Sequence, residues 1–276
     1  PWRTNWGGDQ AVWIVKPVGQ SCGQGITVLA GLKSIFDTIN SFACKCIVQK
    51  YIERPLLVQG RKFDIRQWVL VTSVDPLQVY GFAECYLRLS TKEYSLEELA
   101  NPLIHLCNHS IQKTGENFEQ HQSMISQDDF SKNYLKNHPK LSHVEGCPFK
   151  SHIQPAMRKA AVEAVAAVRD KLNVVGRGFE WLGMDFMVSD SLEVFLIEVN
   201  TSPDISSSTP ITTRLVQEAV PQLFNVLENK LSDDSSVTHT ETAQWEVWYP
   251  TSGETNSLKV ESVDSLQRRK RNYGPM

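Results

Sequence analysis

The stretch GMDFMVSDSLEVFLIEVN (183–200) decides the fold of this chain. Leu182 to Val188 and Glu193 to Val199 are apolar runs of strand length, and Ser189-Asp190-Ser191 between them has the composition of a tight turn. Pairing of the two strands brings Asp185 close to Glu198 and Asn200, two carboxylates and an amide oxygen. Hard divalent cations take oxygen ligands, and Mg²⁺ uses one or two carboxylates together with phosphate oxygens and water. The plainer alternative makes Asp185 and Glu198 strand-end polar residues at a sheet surface. The apolar flanks weigh against it, because ionised carboxylates are seldom held there without a cation or another partner.

Outward from this pair, His152 to Asn173 places Ile153, Met157, Ala161, Ala164, Val165, Val168 and Leu172 on one helical stripe opposite Arg158, Lys159, Glu163 and Arg169. A second helix is predicted over Ile211 to Lys230 through Leu215, Ala219, Leu223 and Leu227, and a short one near Gln127 to Asn137. After Leu231 the composition turns to Ser, Thr, Asp and Glu, which predicts a disordered tail over 232–276. That tail contains Trp245 and Trp248, with no signal for docking, and the basic run Arg268 to Arg271, read as solvated. Toward the N-terminus the pattern is strand at Trp13 to Lys16, Gly-bearing loop, strand at Ile26 to Leu29, helix over Gly31 to Phe42 through Leu32, Ile35, Phe36 and Ile39, and strand at Cys46 to Ile52. Phe63 to Val74 and Leu77 to Leu89 then read as a hairpin turning at Asp75-Pro76.

Composition bounds the function. The chain has 276 residues, 41% hydrophobic and 21% charged, with 28 Lys plus Arg against 31 Asp plus Glu, a net charge of -3. Nucleic-acid binding driven by bulk charge is therefore not expected. No apolar run reaches the roughly 18 residues that span a bilayer, and the opening PWRTNWGGDQ lacks a signal-peptide pattern, so the expectation is a cytosolic protein without membrane association. The six cysteines contain one C-x-C and no C-x-x-C, which favours free, mostly buried thiols over a zinc or redox site. His105, His109, His121, His138, His143 and His152 show no metal spacing and are taken as surface residues.

A cationic set accompanies the acidic one. Lys16 ends a strand before the loop Ser21-Cys-Gly-Gln-Gly25, whose backbone N–H groups suit phosphates. Lys62, Asp64 and Arg66 alternate along a strand, so period two puts them on one face. Taken alone, Lys62, Asp64 and Arg66 read better as a solvated face with internal ion pairing, and the glycine loop matches no standard nucleotide fingerprint.

In combination the segments WIVKP (13–17), QKYIERPLLV (49–58), KFDIRQW (62–68), HLCNHSIQK (105–113), GMDFM (183–187) and LIEVNTSP (196–203) resemble, in order, the motifs of the tubulin tyrosine ligase-like family, and most nearly its glycylase branch. The resemblance covers roughly Val12 to Leu231. It implies an α+β, ATP-grasp-like two-lobed fold, N-terminally truncated because the chain starts just before WIVKP, with lobes over 1–59 and 60–231 and the tail over 232–276. By resemblance, Lys16 reaches ATP phosphates together with Gly23 and Gly25, and Gln49, Lys50, Tyr51 and Ile52 form the hinge that receives adenine. Lys62 and Asp64 line the nucleotide and acceptor region, Arg66 and Arg88 face the acceptor or amino acid, Asn108 with Lys113 beyond it borders the nucleotide, and Asp185, Glu198 and Asn200 bind Mg²⁺.

The family chemistry this implies is ATP-dependent activation of a glutamate side chain in an acidic tubulin tail as an acyl phosphate, followed by attack of the amine of glycine. Arg66, Arg88 and Lys62 are the residues expected to act on the reacting groups. The expected protein is a monomer acting on tubulin and microtubules in the cytoplasm and cytoskeleton, at the cilium or flagellar axoneme. Gln24 departs from the family pattern, standing where relatives usually carry Arg, and Gln20 and Cys22 also occupy positions that are often basic. Glutamate ligation, and a catalytically silent nucleotide- or microtubule-binding role, are the alternatives.

Overall fold

The computed structural model describes residues 11–20, 22–116, 118–172, 178–231 and 244–250. The expectations placed on Ser21, on residues 232–243 and on the basic run Arg268 to Arg271 lie outside them. The elements run β1 (Val12–Pro17), β2 (Thr27–Ala30), α1 (Leu32–Ser41), β3 (Cys46–Lys50), β4 (Leu57–Val58), β5 (Arg61–Val74), β6 (Leu77–Phe82) and β7 (Tyr86–Glu93). They continue as α2 (Pro102–His105), α3 (His109–Gln112), β8 (Met124–Ser126), α4 (Gln127–Phe130), α5 (Gln154–Val168), β9 (Glu180–Val188), β10 (Val194–Asn200), α6 (Pro210–Leu231) and β11 (Trp245–Tyr249). Two compact units result: Pro1–Asp64 with Leu87–Ile125 and Met187–Glu193, and Ile65–Tyr86 with Ser126–Phe186 and Val194–Met276.

In the first unit β1 lies between β2 and β3, antiparallel to both. Alternation along β1 feeds two clusters: Val12 and Ile14 join Val28, Tyr51 and Leu106, while Val15 joins Leu29 and Ile35 with Trp13 packed against them. Lys16 follows Ile14 by two residues and so belongs to the Tyr51 side. Helix α1 turns Ile35 and Ile39 inward, whereas Leu32 and Phe36, expected inward from their spacing, are 63% and 60% exposed. A short helix on a narrow three-stranded sheet covers little more than one side chain per turn. Further on, Gln112 ties α3 into the unit: its amide donates to the carbonyls of Leu103 and Leu106 while its oxygen accepts from the Thr91 amide at 2.5 Å.

The second unit is built on the strand path β10-β9-β5-β6-β11. β5 and β9 pair antiparallel from Ile65↔Phe186 to Val71↔Glu180, with Arg66 directly opposite Asp185. The hairpin at Asp75-Pro76 forms, closing at Val74↔Leu77, but the run expected as one strand over Leu77 to Leu89 is broken after Phe82 into β6 and β7. Helix α5 buries Met157, Ala161 and Val165, and α6 buries Leu215, Ala219 and Leu223, as their spacing predicts. On α6 the next buried position is Val226 rather than Leu227. Eleven residues complete about three turns, so the stripe arrives one residue earlier than a strict step of four.

The tail expectation needs one correction. Trp245 to Tyr249 form β11, antiparallel to β6 with Trp245↔Phe82 and Val247↔Tyr80. Trp245 and Trp248 are fully buried, the Trp245 indole donates to the Ala219 carbonyl at 3.1 Å, and Arg158 donates twice to the Trp248 carbonyl. The indole of Trp248 occupies the space left by Gly81, where a Cβ would stand 1.9 Å from the ring. Among the described residues no helix is long and apolar enough to cross a membrane.

Candidate functional site

In the first unit the structure brings Tyr51 and Lys62 together. The Lys62 ammonium is buried, 5% exposed, and donates to the Tyr51 hydroxyl at 3.1 Å and to the His105 carbonyl at 2.5 Å, over the face of the Tyr51 ring. Burial, first of all, lowers the Lys62 pKa from its usual value, and the nearby charge of Lys16 pushes the same way, against Cys107 and Asp64. His105, expected at the surface, is 1% exposed: Nδ1 lies 2.9 Å from the Tyr51 hydroxyl and Nε2 is 3.1 Å from the Glu98 carbonyl. Burial lowers its pKa as well.

The thiols also depart from expectation. Only Cys85 and Cys107 of the six are buried, because Cys22 and Cys44 sit on exposed loops. The Cys107 thiol contacts the Lys62 carbonyl.

Gln49, Lys50 and Tyr51, expected as the hinge, are placed by backbone pairing. Gln49 stands opposite Ile14 and Lys50 opposite Trp13, and the Tyr51 amide donates to the Val12 carbonyl at 3.1 Å. The Lys50 ammonium is occupied locally, donating to the Val12 carbonyl at 3.0 Å and to Glu53. Ile52 is half-buried. In the glycine loop Gly19, Gly23 and Gly25 have positive φ, as does Cys22 at 61°. The Ser110 hydroxyl donates to the Cys22 carbonyl at 2.8 Å, and a Cβ on Gly23 would stand 2.9 Å from Asn108 Oδ1. The WIVKP–loop segment and the HLCNHSIQK segment, 88 residues apart at that bond, are thus fastened together.

Asp64 and Arg88 form a fork, Nε to Oδ1 at 2.7 Å and Nη2 to Oδ2 at 2.8 Å, with exposures of 5% and 7%. Such a planar, two-bond pair fixes the guanidinium plane.

In the second unit Arg66 repeats the device on Asp185, with Nε to Oδ1 at 2.5 Å and Nη2 to Oδ2 at 3.2 Å. Asp185 is 1% exposed, and the partner that its burial demands is this arginine. The Lys62, Asp64 and Arg66 side chains are thus buried and individually partnered, not a solvated face. Glu198 is exposed, because the apolar residues around it in β10 are themselves only partly covered. The Asn200 amide donates to the Gly183 carbonyl at 3.3 Å, leaving its oxygen as the group for a further ligand. Pro203 packs within 3.0 Å of the position a Gly183 Cβ would take.

Among the described residues no group of three or more His, Cys, Asp or Glu stands ready to hold a metal ion. By donor chemistry Asp185, Glu198 and Asn200 are an all-oxygen set that suits a hard ion with phosphate and water in its shell, and such an ion would share the Asp185 carboxylate with Arg66, which already bonds both of its oxygens.

Comparison with known proteins follows the same lines. Residues 3–236 match the sequence profile described as the Tubulin-tyrosine ligase family. The chain is 37% identical over 226 residues to Tubulin glycylase 3C of Tetrahymena thermophila, covering 80% of this chain and 21% of that protein. It is 36% identical over 235 residues to Tubulin monoglycylase TTLL3 of Homo sapiens, covering 82% and 30%. It is 37% identical over 233 residues to Tubulin glycylase 3A of Drosophila melanogaster, covering 82% and 23%. The chain therefore spans less than a third of the length of these relatives.

Proposed function

Because this chain belongs to the tubulin-tyrosine ligase family, an ATP-grasp-like ligase fold, we propose that it is the ligase domain of an enzyme that uses ATP to join glycine to glutamate side chains of tubulin tails. The observation that carries this reading is the 36–37% identity, over about four-fifths of the chain, to proteins named tubulin glycylases.

A carboxylate is a poor acyl donor to an amine because its oxygen leaves badly. Transfer of the γ-phosphoryl group of ATP to that oxygen gives an acyl phosphate and ADP. The unprotonated amine of glycine then attacks the carbonyl carbon, the C–O bond to phosphate breaks, and an amide forms with release of inorganic phosphate and one proton. In this scheme Lys16, Lys62 and the backbone N–H groups at Gly23 and Gly25 bind phosphates. Gln49, Lys50, Tyr51 and Ile52 receive adenine, and Asp64 and Asn108 border the nucleotide. Arg66 and Arg88, held in plane by Asp185 and Asp64, orient a carboxylate and steady the charge that develops on it. Asp185, Glu198 and Asn200 would hold Mg²⁺, which neutralises charge on the phosphates when bound.

The test is incubation of the full-length protein with tubulin, ATP and labelled glycine, read by mass spectrometry of the tubulin tails. Glycine on tail glutamates, lost in Glu198→Ala, is the expected result. Incorporation of glutamate alone would transfer the protein to glutamate ligation, and no incorporation of either would remove the ligase reading.

A further inference from the structure

We propose that His105 is a positioning residue for Lys62, acting through the Tyr51 hydroxyl in a hydrogen-bond train of fixed polarity. The direction follows from donor and acceptor chemistry. The Glu98 carbonyl can only accept, so the His105 Nε2 that faces it at 3.1 Å carries the proton. A neutral imidazole has one N–H, and Nδ1 is then left as a lone pair, 2.9 Å from the Tyr51 oxygen. Tyr51 must therefore donate to Nδ1. Its oxygen lone pairs consequently turn away from His105 and toward the Lys62 ammonium, which donates to that oxygen at 3.1 Å.

The same residue supplies the second anchor, since the Lys62 ammonium also donates to the backbone carbonyl of His105 at 2.5 Å. His105 thus fixes Lys62 twice, once through its main chain and once through Tyr51. The arrangement is buried, with His105, Tyr51 and Lys62 all at 5% exposure or less. The T-shaped contact of the imidazole with the Tyr51 ring, centroids 5.6 Å apart, and a second with Tyr94 at 6.0 Å hold the imidazole plane. Were the imidazole protonated at Nδ1, the Tyr51 hydroxyl would have to accept from it, and the Glu98 carbonyl would face a bare nitrogen.

This inference rests on the reading of Lys62 as a nucleotide-binding cation. Its prediction is that Tyr51→Phe, which removes one oxygen and keeps the ring, weakens ATP binding by the full-length protein about ten- to a hundredfold, as expected for a hydrogen bond to a charged group. His105→Gln keeps an acceptor toward Tyr51 and a donor toward Glu98, and should lie within about twofold of the wild type. His105→Phe keeps the ring shape, loses both functions, and should match Tyr51→Phe. Titration with ATP by calorimetry supplies these affinities, and long-range ¹H–¹⁵N correlation of the imidazole reads the tautomer directly.

A spectrum showing Nδ1 protonated, or Tyr51→Phe binding ATP as tightly as the wild type, overturns the proposal. Lys62→Met in the same titration separates the two levels. If it loses ATP affinity while Tyr51→Phe does not, the train is refuted and the nucleotide reading stands. If neither variant changes affinity, both fall.

Discussion

The buried fork between Asp64 and Arg88 offers a sharp test of how this chain is held together. Both side chains are more than nine-tenths buried, and the two bonds, 2.7 and 2.8 Å, occupy both carboxylate oxygens. Replacing Arg88 by Met keeps most of the stem and takes both fork bonds from a buried carboxylate, which should cost about 3–5 kcal/mol of stability. Replacing Asp64 by Leu takes the same two bonds from the guanidinium and should cost a similar amount. The double variant Asp64→Leu/Arg88→Met removes both charges together, and the hydrophobic pair is expected within about 2 kcal/mol of the wild type. The two single costs add to about 6–10 kcal/mol, so the cycle should return a coupling of about 4 kcal/mol or more, well above the ~0.5 kcal/mol scatter of independent sites. Urea unfolding of the four proteins, followed by tryptophan fluorescence, measures it. Additivity of the single effects would show that the fork contributes little, and the argument from burial would fail.

Three further outcomes follow from local geometry. Gly81→Ala should lower stability by about 2–3 kcal/mol, because its Cβ would sit 1.9 Å from the Trp248 ring; thermal unfolding should show part of the loss recovered when Trp248→Ala is added. Gly23→Ala should weaken ATP binding more than Gly19→Ala, since both have positive φ but only Gly23 would also meet Asn108 Oδ1, at 2.9 Å; equal effects in an ATP titration would remove the contact from the explanation. Lys62, whose pKa is lowered by burial, binds its proton less readily when folded than when unfolded. Between the folded pKa and 10.5 the unfolded chain therefore holds more protons, and stability should rise with pH across that window. Unfolding free energies of the wild type and Lys62→Met from neutral to alkaline pH should show the rise flattened in the variant.

The paired strands of β9 and β10 were legible because they are apolar runs of strand length on either side of a turn of Ser and Asp, and α5 and α6 because their apolar residues recur each turn. Their signals are local. His105 was not legible, because its burial depends on Tyr51, 54 residues away, and on the Glu98 carbonyl, whose position no side-chain pattern records. Nor was β11. Trp245 to Tyr249 are five residues in a polar surround, and what makes them a strand is the edge of β6 with Gly81 leaving room for an indole. The exposed Phe36 was missed for the converse reason, since periodicity states which residues can share a face and not how wide the covering sheet is.

The same limit governs the site. Lys62, Asp64 and Arg66 alternate in sequence, and period two assigned them one shared face. Their chemical states differ, however, through residues that alternation cannot supply. Asp185 neutralises Arg66 and Asp64 neutralises Arg88, so these arginines add little net field while their guanidinium planes are ordered in advance. An ordered side chain has less conformational freedom to lose when a ligand arrives, so the acidic partners favour orientation at the cost of attraction. Lys62 is built the other way: it donates to a neutral hydroxyl and a carbonyl, with Lys16 near enough to depress its pKa. A neutral acceptor orients an ammonium without cancelling its charge. In the first unit Lys62 and the Asp64–Arg88 fork therefore differ in kind, and the difference is set by whether the cation is partnered by a neutral oxygen or by a carboxylate.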